Sequence, residues 1–376
     1  MSVYDSSGLE LLHVYDKDGN ELSQCYDINK NSLIGKRKPI KEYSYDNDQD
    51  PEKSLVWNYD LESLQRMQGN KFTLGIQSDT HYWQPDHGTD YITPLKNLTK
   101  QLHCDFITNL GDIPRGWATD TETPAYTLAA ETEAIRRYTD YAECPVLIVR
   151  GNHDNGMYHH GSGHPQTMDS TISKADLYNA QIGAVKRTTS IVESGNGNFY
   201  YYKDFPECRV IVLDTNDYPF LAISEYDVHG NHHTISQAQI DWFTNTALDT
   251  EKPVLILSHC ILNNVDYPRF VVPEEDKGYM EEEPRMTYNA DKIVSALESF
   301  KENGGDVIAC FFGHVHRQHY GRDNGINYIS FMNSGYFAEI VFIDFDNRKI
   351  ICKVVGDNKM NSDLNIVTPV DRTFTF

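Results

Sequence analysis

The chain has 376 residues and a formal charge of -22, from 33 Lys and Arg against 55 Asp and Glu. That balance argues against passive adhesion to nucleic acid or to an anionic membrane, since both need a basic footprint. The length accommodates one large α/β domain or two ordinary ones, and no apolar run approaches the roughly 18 residues of a membrane span.

The N-terminal segment MSVYDSSG lacks the basic-then-apolar pattern of a secretory signal, so a cytoplasmic location is the default expectation. Residues 1–35 repeat with a period of 11: VYDSSGLELLH from Val3, VYDKDGNELSQ from Val14 and CYDINKNSLIG from Cys25. Each unit places Tyr-Asp before a polar turn and then returns to Leu, which predicts short strands joined by tight turns. So small a β element is either an arm for tethering or self-association or an edge decoration on the main domain. Asp16-Lys17-Asp18-Gly19-Asn20 has its Gly at the fourth position, not the sixth of a calcium loop, so calcium is not expected there. Residues 36–55, KRKPIKEYSYDNDQDPEKSL, are charged, contain two prolines and lack an apolar period, which predicts a linker before a main domain over 56–376.

In that domain short apolar runs predict strands over 72–76, 106–110, 146–149, 210–213, 254–257 and 307–312. Helices are expected over 121–143, over 236–248 with Ser236 and Gln239 as a capping box, and over 288–303 ahead of Gly304-Gly305. The alternation predicts a layered α/β fold whose strands are covered on both faces. Segments 155–190 and 261–286 break the pattern and are expected to be irregular insertions that shape a cleft. Cys25, Cys104, Cys144, Cys208, Cys260, Cys310 and Cys352 are odd in number and never form C-x-x-C, so they are expected to be reduced and mostly in the core.

Five of the six strands are followed within about four residues by metal-binding side chains: Asp79 and His81; Asp112; Asn152, His153 and Asp154; His259; His314 and His316. Any one of these is an ordinary turn composition. The ordered set is not, because loops at the carboxyl ends of parallel strands converge in space.

The order D-x-H, G-D, G-N-H-D, H and G-H-x-H, standing here as SDTHYW, NLGDIPRG, RGNHDNG, LSHCIL and GHVHR, resembles the calcineurin-like metallophosphoesterase superfamily. The resemblance implies a four-layer α/β/β/α sandwich carrying two divalent cations, Mn, Fe or Zn. It implies that Asp79, His81 and His316 hold one cation, that Asn152, His259 and His314 hold the other, and that Asp112 bridges. By the same resemblance His153 contacts phosphate and protonates the leaving oxygen. Asp154 would orient its imidazole and raise its pKa. Arg115 stands where the purple acid phosphatase branch has a ligating tyrosine, and G-D-I-P-R-G is one residue short of the protein phosphatase motif. Its readings are a phosphate clamp or a surface ion pair. Trp83 and Trp117 read as an aromatic wall for substrate or as core. His159, His160 and His164 read as cleft rim or as solvated loop; His103, His229, His232, His233 and His319 match no motif, and Asp214 reads as a turn residue behind the site.

The function expected is metal-dependent hydrolysis of a phosphodiester or of a small phosphorylated metabolite. A nuclease of the same superfamily is the first alternative, disfavoured by the acidic charge. A surface or virion component that uses the fold as a scaffold is the second.

Overall fold

The computed structural model describes residues 57, 59–82, 90, 92–116, 124–156, 172–195, 197–217, 233–262, 287–332, 337–356 and 369–376, and the backbone of 3–4 and 10–11. Most of the repeats, all of the expected linker, Trp83, Trp117, His159, His160, His164, His229 and His232 lie outside the described residues. The chain divides into two compact units, Met1–Ser54 and Leu55–Phe376. In the first, β1 (Val3–Tyr4) pairs antiparallel with β2 (Glu10–Leu11).

The second unit runs α1 (Leu61–Gln68), β3 (Phe72–Gln77), α2 (Ile92–Gln101), β4 (Phe106–Asn109), α3 (Pro124–Thr139), β5 (Val146–Ile148) and α4 (Lys174–Thr188). It continues with β6 (Val192–Glu193), β7 (Tyr201–Asp204), β8 (Arg209–Val212), β9 (His233–Thr234), α5 (Gln237–Trp242), a π turn at Phe243–Ala247 and β10 (Val254–Leu257). Then come β11 (Thr287–Tyr288), α6 (Ala290–Glu302), β12 (Val307–Phe312), β13 (Tyr320–Asp323), β14 (Ile326–Ser330), β15 (Phe337–Asp344), β16 (Lys349–Gly356) and β17 (Arg372–Thr375).

Two large sheets form, in the orders β17-β16-β15-β3-β4-β5 and β13-β14-β12-β10-β8-β7-β6. Each contains a parallel run, β3-β4-β5 at one end of the first and β8-β10-β12-β14 in the second. The period-2 pattern of the second sheet sorts its two faces. Val210, Val212, Leu255 and Leu257 join the core shared with Leu74, Ile76, Phe106 and Val146 of the first sheet and with helices α1 to α4. Ile211, Leu213, Val254 and Ile256 turn the other way, onto Ile240, Phe243, Ile293 and Leu297 of the α5–α6 layer. Helices, sheet, sheet, helices: this is the four-layer sandwich expected, and it leaves every central strand covered on both faces.

Several local expectations change. Segment 155–190 is not irregular throughout, because α4 occupies 174–188 behind a Ser173 cap that accepts the Asp176 N–H at 3.1 Å. The capping box at α5 is half formed. Ser236 Oγ accepts the Gln239 N–H at 3.2 Å, but the Gln239 amide turns inward to Asp214, donating to its carbonyl and accepting its N–H, both at 2.8 Å. Helix α3 begins at Pro124, whose missing N–H is tolerated in a first turn. Among the described residues six cysteines are free, five of them buried, and no helix is long and apolar enough to cross a membrane.

Candidate metal centre

The loops after β3, β4, β5, β10 and β12 meet at the carboxyl ends of the parallel strands. Main-chain bonds stitch them together: Asp79 N to Gly111 O at 2.9 Å, His81 N to Asp112 O at 3.0 Å and Gly313 N to His259 O at 2.9 Å. Carboxylates add cross-links, Asp112 Oδ1 accepting the His153 N–H at 2.8 Å and Asp79 Oδ2 the His314 N–H at 2.9 Å. The backbone bends sharply to do this. Asp79, His81, Asp112, His314 and His316 all have left-handed φ, between 44° and 65°, a conformation that costs an L-residue about 1 to 2 kcal/mol. Such strain persists where surrounding bonds over-determine it, and it gathers at functional sites. Two glycines allow the approach: a Cβ at Gly151 would lie 2.1 Å from Asp112 N, and one at Gly313 would lie 1.9 Å from Ser78 Oγ. Gly151 is therefore required by contact, while Gly156, at φ 74°, is required by the turn.

The donor atoms fall into linked sets. Asp79, His81 and His316 bring one donor each within 4.8 Å of one another, as do Asp112, His259 and His314, and Asp112 also groups with His81 and His153. His81 Nε2 lies 3.1 Å from His316 Nε2, which is 3.2 Å from Asp79 Oδ1. Nitrogens at that distance share at most one proton between them. Burial, then the neighbouring His153 and His316, push His81 down to about 3, so its ring is neutral. Burial opposes ionisation of Asp79 and Asp112, yet His316 lowers the first and His259 the second below the ordinary carboxylate range.

His259 tests whether cations fit. Its Nδ1–H donates to Leu110 O at 2.8 Å, so Nε2 faces Asn152 Oδ1 at 2.9 Å and Asp112 Oδ2 at 3.2 Å. A bare lone pair aimed at two oxygens would be repelled; a positive charge must stand among the three. With no metal that charge is a proton, and although burial works against it, Asp112 lifts His259 to about 9. Ligands about 2.0 to 2.2 Å from one ion stand roughly 3 Å apart, as these atoms do. Imidazole, carboxylate and amide oxygen arranged in two sets around Asp112 thus fit a pair of divalent cations.

His153 belongs to the cluster, its ring 4.6 Å from that of His81 and its Nε2 3.7 Å from Asp112 Oδ2. Its Nδ1–H donates to the Arg115 carbonyl. Asp154 does not orient it. The Asp154 carboxylate instead accepts the N–H groups of Ile113 at 2.9 Å and Gly151 at 2.8 Å, together with the Gln181 amide at 2.8 Å. Adjacent side chains diverge in this turn, and a buried carboxylate takes the amides within its reach. Nor is the His153 pKa raised: burial lowers it, against an upward pull from Asp112. Asp154 itself is raised to about 7 by burial and then by Asp112. Arg115 contributes its carbonyl to His153, and its side chain is half-buried. Trp83 and Trp117 lie outside the described residues.

A further layer escapes the motifs. Arg150 and Asp214, 2% and 1% exposed, pair at 3.0 Å. Asp214 Oδ1 accepts the Asn216 N–H at 2.9 Å, the Asn216 amide donates to Arg150 O at 3.4 Å, and Asn216 Oδ1 accepts His233 Nδ1–H at 3.0 Å. The His233 ring meets the His314 ring edge-on at 4.5 Å. The position of Asp214 after a parallel strand is the only sequence signal for this layer. His233 carries none, since β9 reaches the site through its pairing with β11 and the loop after β8.

Comparison with known proteins agrees with this geometry. The family model for calcineurin-like phosphoesterases matches residues 72–318. A dimetal phosphatase from Danio rerio is similar at 15% identity and TM-score 0.57, over 81% of this chain and 98% of that one, which shows the fold. The inner membrane complex anchor GAP50 of Plasmodium aligns at 12% identity and TM-score 0.42, over 81% and 89%. No curated protein matches the sequence. With the family model spanning every motif from Asp79 to His316, the chain belongs to the calcineurin-like phosphoesterase family of metal-dependent hydrolases.

Proposed function

We propose that the protein hydrolyses a phosphodiester or a small phosphorylated metabolite, with Mn, Fe or Zn held by Asp79, His81 and His316 on one side, by Asn152, His259 and His314 on the other, and by Asp112 between. The observation that carries this reading is the grouping of Asp112 with both His81 and His259, which makes it, among the described residues, the one carboxylate grouped with both sets. When bound, two divalent cations supply an acidified water as nucleophile and neutralise charge on the phosphoryl oxygens. They also offset the repulsion between an anionic substrate and a chain of charge -22.

The chain's own residues do the rest. Asp79 and Asp112 provide the fixed negative charge. The Leu110 carbonyl locks His259 in the tautomer that leaves Nε2 toward the centre. His153, anchored through Nδ1 on the Arg115 carbonyl, presents Nε2 on the side of His81 and Asp112, where, in its imidazolium form, it would deliver the Nε2 proton to the departing alkoxide and return to the neutral ring that burial favours. The small-substrate reading is preferred over protein dephosphorylation because the G-D-I-P-R-G segment lacks the full phosphatase arginine motif. Charge disfavours the nuclease reading.

Hydrolysis of bis-aryl and mono-aryl phosphates, compared under Mn and Zn loading, tests this. Faster turnover of the bis-aryl ester supports diester chemistry and the reverse supports monoester chemistry. No turnover of either by protein carrying two ions would reject the enzymatic reading.

A further inference from the structure

We infer that His233, Cys260 and His314 form a separate cation site of softer character, selective for thiophilic divalent ions such as Zn²⁺, that competes with the Asp112 set for His314. The three residues bring a sulfur and two ring nitrogens within 4.8 Å of one another. Those spacings suit a tetrahedral ion with Zn–S near 2.3 Å and Zn–N near 2.0 to 2.1 Å. Cys260 is 0% exposed and His233 1% exposed.

Each donor is held for the task. The Asn216 amide donates to Arg150 O, so its Oδ1 is the acceptor that fixes the proton of His233 on Nδ1. His233 Nε2 then carries the lone pair. Cys260 is fastened by its own N–H to Thr215 Oγ1 at 3.1 Å and by its carbonyl, which accepts Ser258 Oγ–H at 2.9 Å. β9 is strapped to the same loop, Thr234 N donating to Thr215 O at 2.8 Å and Asp217 N to Thr234 O at 3.1 Å. The His314 ring stands between the two histidines, 4.5 Å from His233 and 5.0 Å from His259. On one side of it are carboxylate, amide and imidazole; on the other are thiol and imidazole. Hard and borderline ions such as Mn²⁺ select the first, and thiolate selects Zn²⁺ or Cd²⁺ for the second. Binding there releases the Cys260 thiol proton and leaves one net positive charge on the ion and thiolate together.

The consequence is inhibition by thiophilic metal: an ion seated on Cys260 takes His314 away from the set that holds the second catalytic cation. The existence of the soft site does not depend on the hydrolytic reading, though the inhibition does. Mn-loaded full-length protein given one equivalent of Zn²⁺ and studied at the zinc absorption edge should show a sulfur neighbour at about 2.3 Å, with one equivalent of Mn²⁺ released. A zinc shell of nitrogen and oxygen alone would overturn the inference without recourse to any variant. In activity assays Cys260→Ser should raise the zinc concentration for half inhibition at least about tenfold, the scale on which lost ligand support weakens metal binding; an unchanged concentration also overturns it. A sulfur neighbour in protein that hydrolyses no phosphoester would remove the proposed activity and leave the site standing.

Discussion

The outer part of the centre, Asp79, His81 and His316, opens toward solvent, with the His316 side chain 33% exposed. The inner part is sealed. His259 is 0% exposed, bonded through Nδ1 to main chain, and the buried His233 and Cys260 stand close by, around His314. The outer ligands come from two i, i+2 turns of left-handed φ, Asp79/His81 and His314/His316, the second shared with the inner part; Asp79 is buried, while His81 and His316 are partly exposed. The inner part rests on a polar network running back to Arg150 and Asp214. On the function proposed, the difference assigns two duties, exchange and substrate access to the outer set, retention of a cation to the inner one. Asp112 belongs to both, so Asp112→Ala should give the largest effect. Turnover should fall by on the order of 10⁴-fold or more, because both cations lose a ligand and the electrostatic stabilisation goes with them. Elemental analysis should find fewer than two ions per chain; a variant that keeps both ions would dissolve the idea of a shared carboxylate.

His153→Ala sharpens the contrast from the outer side. It removes a proton donor and no ligand, so turnover of esters with poor leaving groups should drop about 10²-fold while metal content holds. Activated aryl esters, which need little protonation, should lose less. Equal losses on both substrate types would show that His153 acts on binding alone. Chelation separates the two parts directly. With one set open and the other buried, ions should leave in two phases, and a single phase would show that burial does not govern retention. From the inner side, Asn216→Ala removes the acceptor that holds His233, whose ring packs edge-on against the inner ligand His314 at 4.5 Å, and the slow phase should quicken about tenfold, the usual scale for support of a ligand.

The outer part was fully legible in the sequence because D-x-H and H-x-H put both ligands of a pair in one short turn. For His259 and Asn152 the legibility came from following a strand, which places a loop at the right end of the sheet. His233 was illegible for a physical reason. It lies on a two-residue strand that pairs with β11 and bridges to Asn216, and none of these has a periodic pattern to announce it. Asp154 misled through adjacency, since neighbours in a turn need not share a direction. Helix α4 did carry its signals, a Ser173 cap and the apolar Leu177, Ile182 and Val185, but the Gly- and His-rich residues before it masked them.

The smallest effect concerns the support behind Asp154, a third arrangement between open and sealed. Gln181 Nε2 donates to Asp154 Oδ2 at 2.8 Å and to Glu131 Oε1 at 2.7 Å, so one amide stands between two buried carboxyl groups. No cation accompanies Glu131 among its described contacts. Burial, and after it the charge of Asp154, raises its pKa well above the usual value. The sign follows from linkage: a group whose folded pKa is raised contributes stability below its unfolded pKa and loses it as pH climbs through the folded one. Glu131→Gln keeps the acceptor for Gln181 and removes the charge, so the variant should match the parent near pH 4 and melt higher at pH 8 to 9, by about 2 °C or more if the charge costs about 1 kcal/mol. It should also ease ionisation of Asp154, which then holds the Ile113 and Gly151 amides, and with them the Asp112 and Asn152 loops, more firmly. Thermal melts of metal-loaded protein across that range decide it. Parallel curves for the two proteins would mean that Glu131 already ionises freely and that the buried support behind the inner ligands is indifferent to charge.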